Sequence, residues 1–127
     1  MMTGSSAMVG WIGKTGRPHI KQFYLRGRSS SEVVANEGKL SSTNVEPVVV
    51  VYRASIYLAF QLNFSAPVMK QDLLFAFGTS IPVNNRLKEH NDKTSISFDF
   101  SAGLFSLHFS FHCSIVSLFG TMYYIFN

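Results

Sequence analysis

The chain has 127 residues, a mass of 14.2 kDa and a net charge of +4; 46% of its residues are hydrophobic and 14% are charged. This length predicts one small domain, and this composition excludes intrinsic disorder, a coiled coil and a nucleic-acid-binding tail. A single cysteine, Cys113, excludes an intrachain disulfide and a zinc site built from cysteines. The first ten residues lack the charged start and apolar core of a secretory signal, so no signal peptide is expected.

Short apolar runs, separated by Gly, Pro, Asn and Ser clusters, predict an all-β antiparallel sandwich. The alternation is clearest where Ile56, Leu58, Phe60, Leu62 and Phe64 share one face of a strand. A strand with one apolar face must be covered by a second layer, so we expect two packed sheets. The predicted strands, in chain order, are Ala7–Ile12, His19–Leu25, Val48–Tyr52, Ile56–Phe64, Leu73–Phe77 and Thr94–Phe100.

The apolar segment 104–126 contains no Asp, Glu, Lys or Arg. Its length suits a transmembrane helix, whereas the alternation from Phe105 to Ile115 indicates a strand. Both alternatives predict a tail, 104–127, that makes the chain membrane-associated or insoluble. Residues 1–103 would then form the β-sandwich.

Three patterns resemble functional motifs without completing them. Gly13-Lys14-Thr15 ends like a P-loop, but Met8 stands where that motif has its first glycine. His108 and His112 have the spacing of a zinc-peptidase pair without its intervening Glu or third ligand. A basic cluster lies on both faces of its predicted strand, which indicates a solvated surface and no nucleic-acid partner. Its members are Lys14, Arg17, Lys21, Arg26 and Arg28.

Several segments together resemble the DOMON domain of plant cytochrome b561 and DOMON domain-containing proteins. The first contains the Gly4-Ser5-Ser6-Ala7 motif, and the last runs through Ser101-Ala102-Gly103. Their order and spacing carry the resemblance over about residues 1–103. The matching segments are Met2–Trp11, His19–Leu25, Asn44–Val50, Ile56–Leu62, Leu74–Gly78, Glu89–Thr94 and Ser97–Gly103.

The resemblance implies a DOMON-like β-sandwich, at a membrane or outside the cytoplasm, that holds haem b as an electron-transfer module and not as an enzyme. It implies that Met2 and His90 are the two axial ligands of the haem iron. A thioether and an imidazole fill both axial positions and raise the reduction potential, which suits electron transfer. The implied partners are a reductant such as ascorbate and a membrane b-type cytochrome domain.

The resemblance also implies an N-terminally truncated domain, because the family has further strands before its Met motif. The alternative function is a non-redox, sugar-binding β-sandwich without haem. Asn63-Phe64-Ser65 is an N-glycosylation sequon, and Asn63 falls on the polar face of its predicted strand. Asn63 is therefore a candidate glycosylation site if the chain is secreted.

Overall fold

The computed structural model describes residues 3–53, 55–64, 70–99, 111–114 and 121–126. Within these ranges the regular structure is β-strand apart from one 3₁₀ turn at Ser30–Glu32, and no helix is long and apolar enough to cross a lipid bilayer. The strands are β1 (Ser5–Ile12), β2 (Pro18–Leu25), β3 (Val33–Ala35), β4 (Ser41–Ser42), β5 (Val48–Tyr52), β6 (Ser55–Ala59), β7 (Leu62–Asn63), β8 (Lys70–Gly78), β9 (Asp92–Asp99), β10 (Phe111–Ser114) and β11 (Thr121–Phe126).

The strands form three antiparallel sheets. The larger sheet has the order β3-β2-β1-β11-β8-β9, the smaller sheet has the order β10-β6-β5, and β4 pairs with β7. This arrangement confirms the all-β, antiparallel prediction.

Two apolar clusters cover the two faces of the larger sheet. Between the larger and smaller sheets lies a core of Met8, Val49, Ile56, Leu58, Phe60, Leu73 and Phe75. On the opposite face, which we call the outer face, the buried cluster comprises Ala7, Val9, Trp11, Phe23, Leu25, Ala76, Leu87 and Ile125. Strand β1 contributes alternate residues to both clusters, which explains why it is apolar without a strict period of two.

Gly10 allows β1 to pack closely on the smaller sheet. A Cβ atom at this position would lie 3.0 Å from Val49 Cγ2 and 3.0 Å from Leu58 Cδ1. These separations are shorter than ordinary carbon contacts, so a side chain here would force the side chains of Val49 and Leu58 to shift.

The predicted strand Ile56–Phe64 is wrong in its second half. Ile56, Leu58 and Phe60 are buried as expected, but Phe60 and Gln61 separate β6 from β7. Strand β6 pairs with β5, whereas β7 turns to pair with β4, and Phe64 is 40% exposed. The apolar alternation continued through a point where the chain changes its pairing partner.

The apolar C-terminal segment contributes one strand to each main sheet. Strand β10 pairs with β6, and β11 lies between β1 and β8 in the middle of the larger sheet. Strand β10 falls within the stretch whose alternation indicated a strand. The division into a β-sandwich over residues 1–103 and a tail over residues 104–127 stays a prediction, because 100–110 and 115–120 lie outside the described residues.

Candidate functional site

A cavity of about 1470 Å³ lies against the outer face of the larger sheet. Its apolar floor includes Ala7, Ile125 and Leu74, which are neighbours in register across β1, β11 and β8. Leu25 at the end of β2 extends this floor. The volume exceeds the roughly 300–1,000 Å³ of ordinary small-molecule pockets, so the cavity has room for a large ligand.

One wall of the cavity is the segment 79–91 between β8 and β9, which we call the covering loop. Its two ends are joined by Asn91, whose Oδ1 accepts hydrogen bonds from the backbone N of Thr79 at 2.8 Å and from the Thr79 hydroxyl at 3.0 Å. The backbone N of Asn91 also donates to the carbonyl oxygen of Phe77 at 2.8 Å. These bonds fix the base of the loop beside the cavity.

The tip of the covering loop is a tight turn at Asn84 and Asn85. Both residues have positive φ, at 51° and 59°, which asparagine tolerates better than most residues. The flanking residues Val83 and Arg86 form a β-bridge, and Lys21 Nζ on β2 donates to Asn85 Oδ1 at 2.7 Å. The loop is therefore held at its tip as well as at its base, and Leu87 packs into the outer-face cluster.

The predicted ligand His90 lies at the end of the covering loop, where it is half-buried and lines the cavity. The other predicted ligand, Met2, lies outside the described residues. The next residue, Thr3, lines the same cavity as His90. The start of the described chain and the end of the covering loop thus line the same cavity.

The polar rim of the cavity is strongly basic. Four cationic side chains line it, whereas Glu89 is the one acidic residue among the lining residues described. Arg28, Arg86 and Lys93 take no part in the ion pair between Arg26 and Glu37. An excess of positive charge at the mouth of an apolar cavity favours a ligand with negative groups at one end. The four cations are Arg28, Arg86, Lys88 and Lys93.

The opposite wall of the cavity includes Gly27, Arg28 and Ser30 and is held by Glu32. The Oε2 atom of Glu32 accepts hydrogen bonds from the Ser29 hydroxyl at 2.7 Å and from the Ser29 backbone N at 3.0 Å. The hydroxyl bond and then the backbone bond hold the pKa of the Glu32 carboxyl below its ordinary value. The ionised carboxylate thereby keeps the 3₁₀ turn closed at neutral pH.

Other residues singled out in the sequence lie elsewhere. His19 does not line the cavity; its ring stacks on Trp11 with the centroids 5.3 Å apart and the planes at 13°. Asn63 is exposed on β7, and the backbone of His112 belongs to β10, whereas His108 lies outside the described residues. In the described part of the chain no group of three or more His, Cys, Asp or Glu side chains is placed to bind a metal ion.

Gly13-Lys14-Thr15 forms part of the β1–β2 hairpin loop. The backbone N of Gly13 donates to Arg17 O at 2.8 Å, and the backbone N of Gly16 donates to Gly13 O at 2.9 Å. A P-loop needs its backbone N–H groups for phosphate, whereas here two amides of this segment close the hairpin.

Sequence reasoning missed the residues that position His90. Thr79 and Asn91 are twelve positions apart, and no local pattern indicates that they bond to each other. The dipeptide Asn84-Asn85 did carry a turn signal, because two asparagines in succession suit a turn with positive φ.

Comparison with known proteins identifies two relatives in Arabidopsis thaliana, both named cytochrome b561 and DOMON domain-containing proteins. One is 46% identical over 101 residues, which are 79% of this chain and 25% of the relative. The other is 34% identical over 107 residues, which are 80% of this chain and 28% of the relative. No known family profile matches the chain, and no solved structure does.

The all-β fold and these identities define a DOMON-related β-domain. The chain is related to the plant cytochrome b561 and DOMON domain-containing proteins and corresponds to part of a domain. It spans about a quarter of the length of these two relatives.

Proposed function

We propose that the chain is a haem b-binding electron-transfer module in which Met2 and His90 are the axial ligands. The observation that carries the proposal is that His90 and Thr3, the residue after Met2, line one large cavity with an apolar floor. The donor chemistry fits, because an imidazole and a thioether are an established ligand pair of cytochrome iron. A bound haem would supply a one-electron redox couple.

The chain's own residues would bind and orient the group. Ala7, Leu74 and Ile125 offer an apolar floor for a tetrapyrrole face, and the basic rim offers partners for its two propionates. Arg28 and Arg86 suit this role because a guanidinium binds a carboxylate through two parallel hydrogen bonds. If Met2 and His90 both hold the group, it would supply electron transfer without offering a substrate-binding position.

Titration of the full chain with haemin tests the role of His90. We expect the wild-type protein to show the sharp α and β bands of reduced low-spin haem. His90→Ala should lose them, whereas His19→Ala should keep them because His19 stacks on Trp11 away from the cavity. Circular dichroism on each variant reports folding. A folded wild type without these bands, or loss of the bands in His19→Ala alone, would overturn the proposal.

The sugar-binding alternative makes different demands on the cavity. No Phe, Tyr or Trp is among the described residues that line the cavity, so the flat face of a sugar ring lacks its usual stacking partner there. This feature favours haem over sugar.

We propose a membrane b-type cytochrome domain as the redox partner and a location outside the cytoplasm. The names of both relatives join a DOMON domain with a cytochrome b561 domain, which supports this pairing. Asn63 is exposed, as a glycosylated asparagine must be. Expression through a secretory pathway should give a glycosidase-sensitive mass increase that Asn63→Gln abolishes. An unchanged mass would contradict modification at Asn63.

A further inference from the structure

Strand β5 has an apolar surface and an open edge. It has one ladder partner in the described part of the chain, β6, and so forms an edge of the smaller sheet. Val48, Val50 and Tyr52 are 49%, 47% and 58% exposed. A flat edge strand of four valines and a tyrosine is a template for pairing with another strand.

The backbone of β5 indicates which groups face the open edge. Tyr52 and Ser55 are joined by a two-residue turn, and they form the closing pair of the β5–β6 hairpin. A closing pair exchanges backbone hydrogen bonds, and alternate residues of an antiparallel ladder do the same. Val48, Val50 and Tyr52 therefore bond to β6, and the N–H and C=O groups of Val49 and Val51 point to the open edge. No backbone hydrogen bond outside the ladders, in the described residues, involves 48–52.

We propose that two copies of the chain associate by antiparallel pairing of β5 with β5, about a two-fold axis at Val50. In this register Val49 of one copy faces Val51 of the other, so the outward N–H and C=O groups satisfy each other in four hydrogen bonds. On the exposed face, Val50 meets its own copy, and Val48 meets Tyr52. Apolar cross-strand pairs of this kind stabilise a sheet.

The charges at the ends of β5 match the same register. Glu46 precedes the strand and Arg53 follows it; both are exposed, and neither belongs to the ion pair described. Antiparallel pairing about Val50 brings Glu46 of each copy within one residue of Arg53 of the other. Pro47 lacks an N–H group and limits the paired stretch to β5. This complementarity favours a discrete dimer of this chain over an open-ended stack.

The two edge strands of the larger sheet are less suited to pairing. Strand β3 has only three residues, and β9 carries Asp92, Lys93 and Asp99. Short or charged edge strands discourage association. Strand β5 contains no charged residue.

Sedimentation velocity of the full chain over a concentration series tests the proposal. We expect a monomer–dimer equilibrium that Val50→Lys weakens by about tenfold or more, because the two-fold axis places two lysines directly opposite each other. Ile96→Lys, at an exposed position on the β9 edge, should leave it unchanged. Glu46→Arg and Arg53→Glu should each weaken the dimer, and the double charge swap should restore it.

Hydrogen exchange gives a second readout. Slower exchange at Val49 and Val51 with rising protein concentration, and no such change at Val48, Val50 and Tyr52, would support the register. A monomer at every concentration would overturn the proposal, as would a dimer indifferent to Val50→Lys. Failure of the double charge swap to restore the dimer would also contradict it. None of these outcomes depends on haem.

Discussion

Asn91 accepts two hydrogen bonds from Thr79, one from the backbone N at 2.8 Å and one from the hydroxyl at 3.0 Å, and so closes the covering loop next to His90. The contact joins the end of β8 to the start of β9, which are adjacent strands. The position of His90 therefore depends on Asn91, which is not itself a predicted ligand. The same relationship explains how an exposed loop can hold a half-buried imidazole over the sheet.

Loss of the Asn91 amide should weaken haem binding without removing the ligand. We expect Asn91→Ala to lower the free energy of unfolding by about 1 kcal/mol, which is typical of a lost hydrogen-bonded pair. Haem affinity should fall further, because His90 would sample more positions. Urea unfolding and haemin titration measure the two effects. Asn44→Ala, in the exposed loop before β5, is the control and should change neither.

Strand β11 should be needed for folding. Ile125 is 3% exposed in the outer-face cluster, so Ile125→Ala should cost about 2–5 kcal/mol through lost burial and a cavity. Ile96→Ala, at a position 38% exposed on β9, should cost much less. Chemical unfolding of both variants makes the comparison. Equal, small losses would mean that β11 does not belong to the folded sheet.

Gly10 should resist substitution because of the close approach of β1 to the smaller sheet. Gly10→Ala should cost about 1–3 kcal/mol through overpacking against Val49 and Leu58. Gly13→Ala is the comparison and should cost less: its added Cβ would displace the exposed ring of His19, which loses only its stacking on Trp11. Unfolding of both alanine variants at the same urea concentration would contradict the close approach at Gly10.

Glu32 should make stability depend on pH in the acidic range. The hydrogen bonds from Ser29 lower the pKa of the Glu32 carboxyl in the folded protein. The stability that the ionised carboxylate adds is therefore present above the unfolded pKa of about 4.3, and it is lost as the pH falls through the folded pKa. Wild type and Glu32→Gln should therefore differ most at neutral pH and converge in acid. Thermal unfolding from pH 7 to pH 3 follows this difference, and a gap that widens in acid would contradict the assignment.

Local pattern was sufficient to predict strands but not their partners. A short apolar run predicted β5 with its observed bounds, and alternation located the buried face of β6 through Ile56 and Leu58. It failed at Phe64, because a side chain's burial depends on which strand lies opposite and the partner changes between β6 and β7. The insertion of β11 between β1 and β8 is likewise a long-range pairing that no local period records.

The sequence predicted individual residues of the candidate site but not the cavity that surrounds them. The resemblance pointed to His90, and the structure adds the apolar floor and the basic rim that surround it. Arg28, which follows β2, and Lys93 on β9 are far apart in sequence, yet both line the cavity on the outer face of the larger sheet. Charge clusters along the sequence grouped Arg28 instead with Lys14 and Arg17, which lie in or beside the β1–β2 hairpin loop.

The near-infrared magnetic circular dichroism spectrum of the ferric, haem-loaded chain tests the central claim most directly, because it reports low-spin iron and thioether ligation together. We predict a low-spin charge-transfer band at the energy of combined thioether and imidazole ligation, and we expect Met2→Leu to abolish the band at that energy. The band should persist in Met8→Leu, since Met8 is buried in the core between the two sheets on the opposite face. A spectrum without the band in the wild type, or its loss in Met8→Leu with retention in Met2→Leu, would contradict the assignment of Met2 and His90 as the haem ligands.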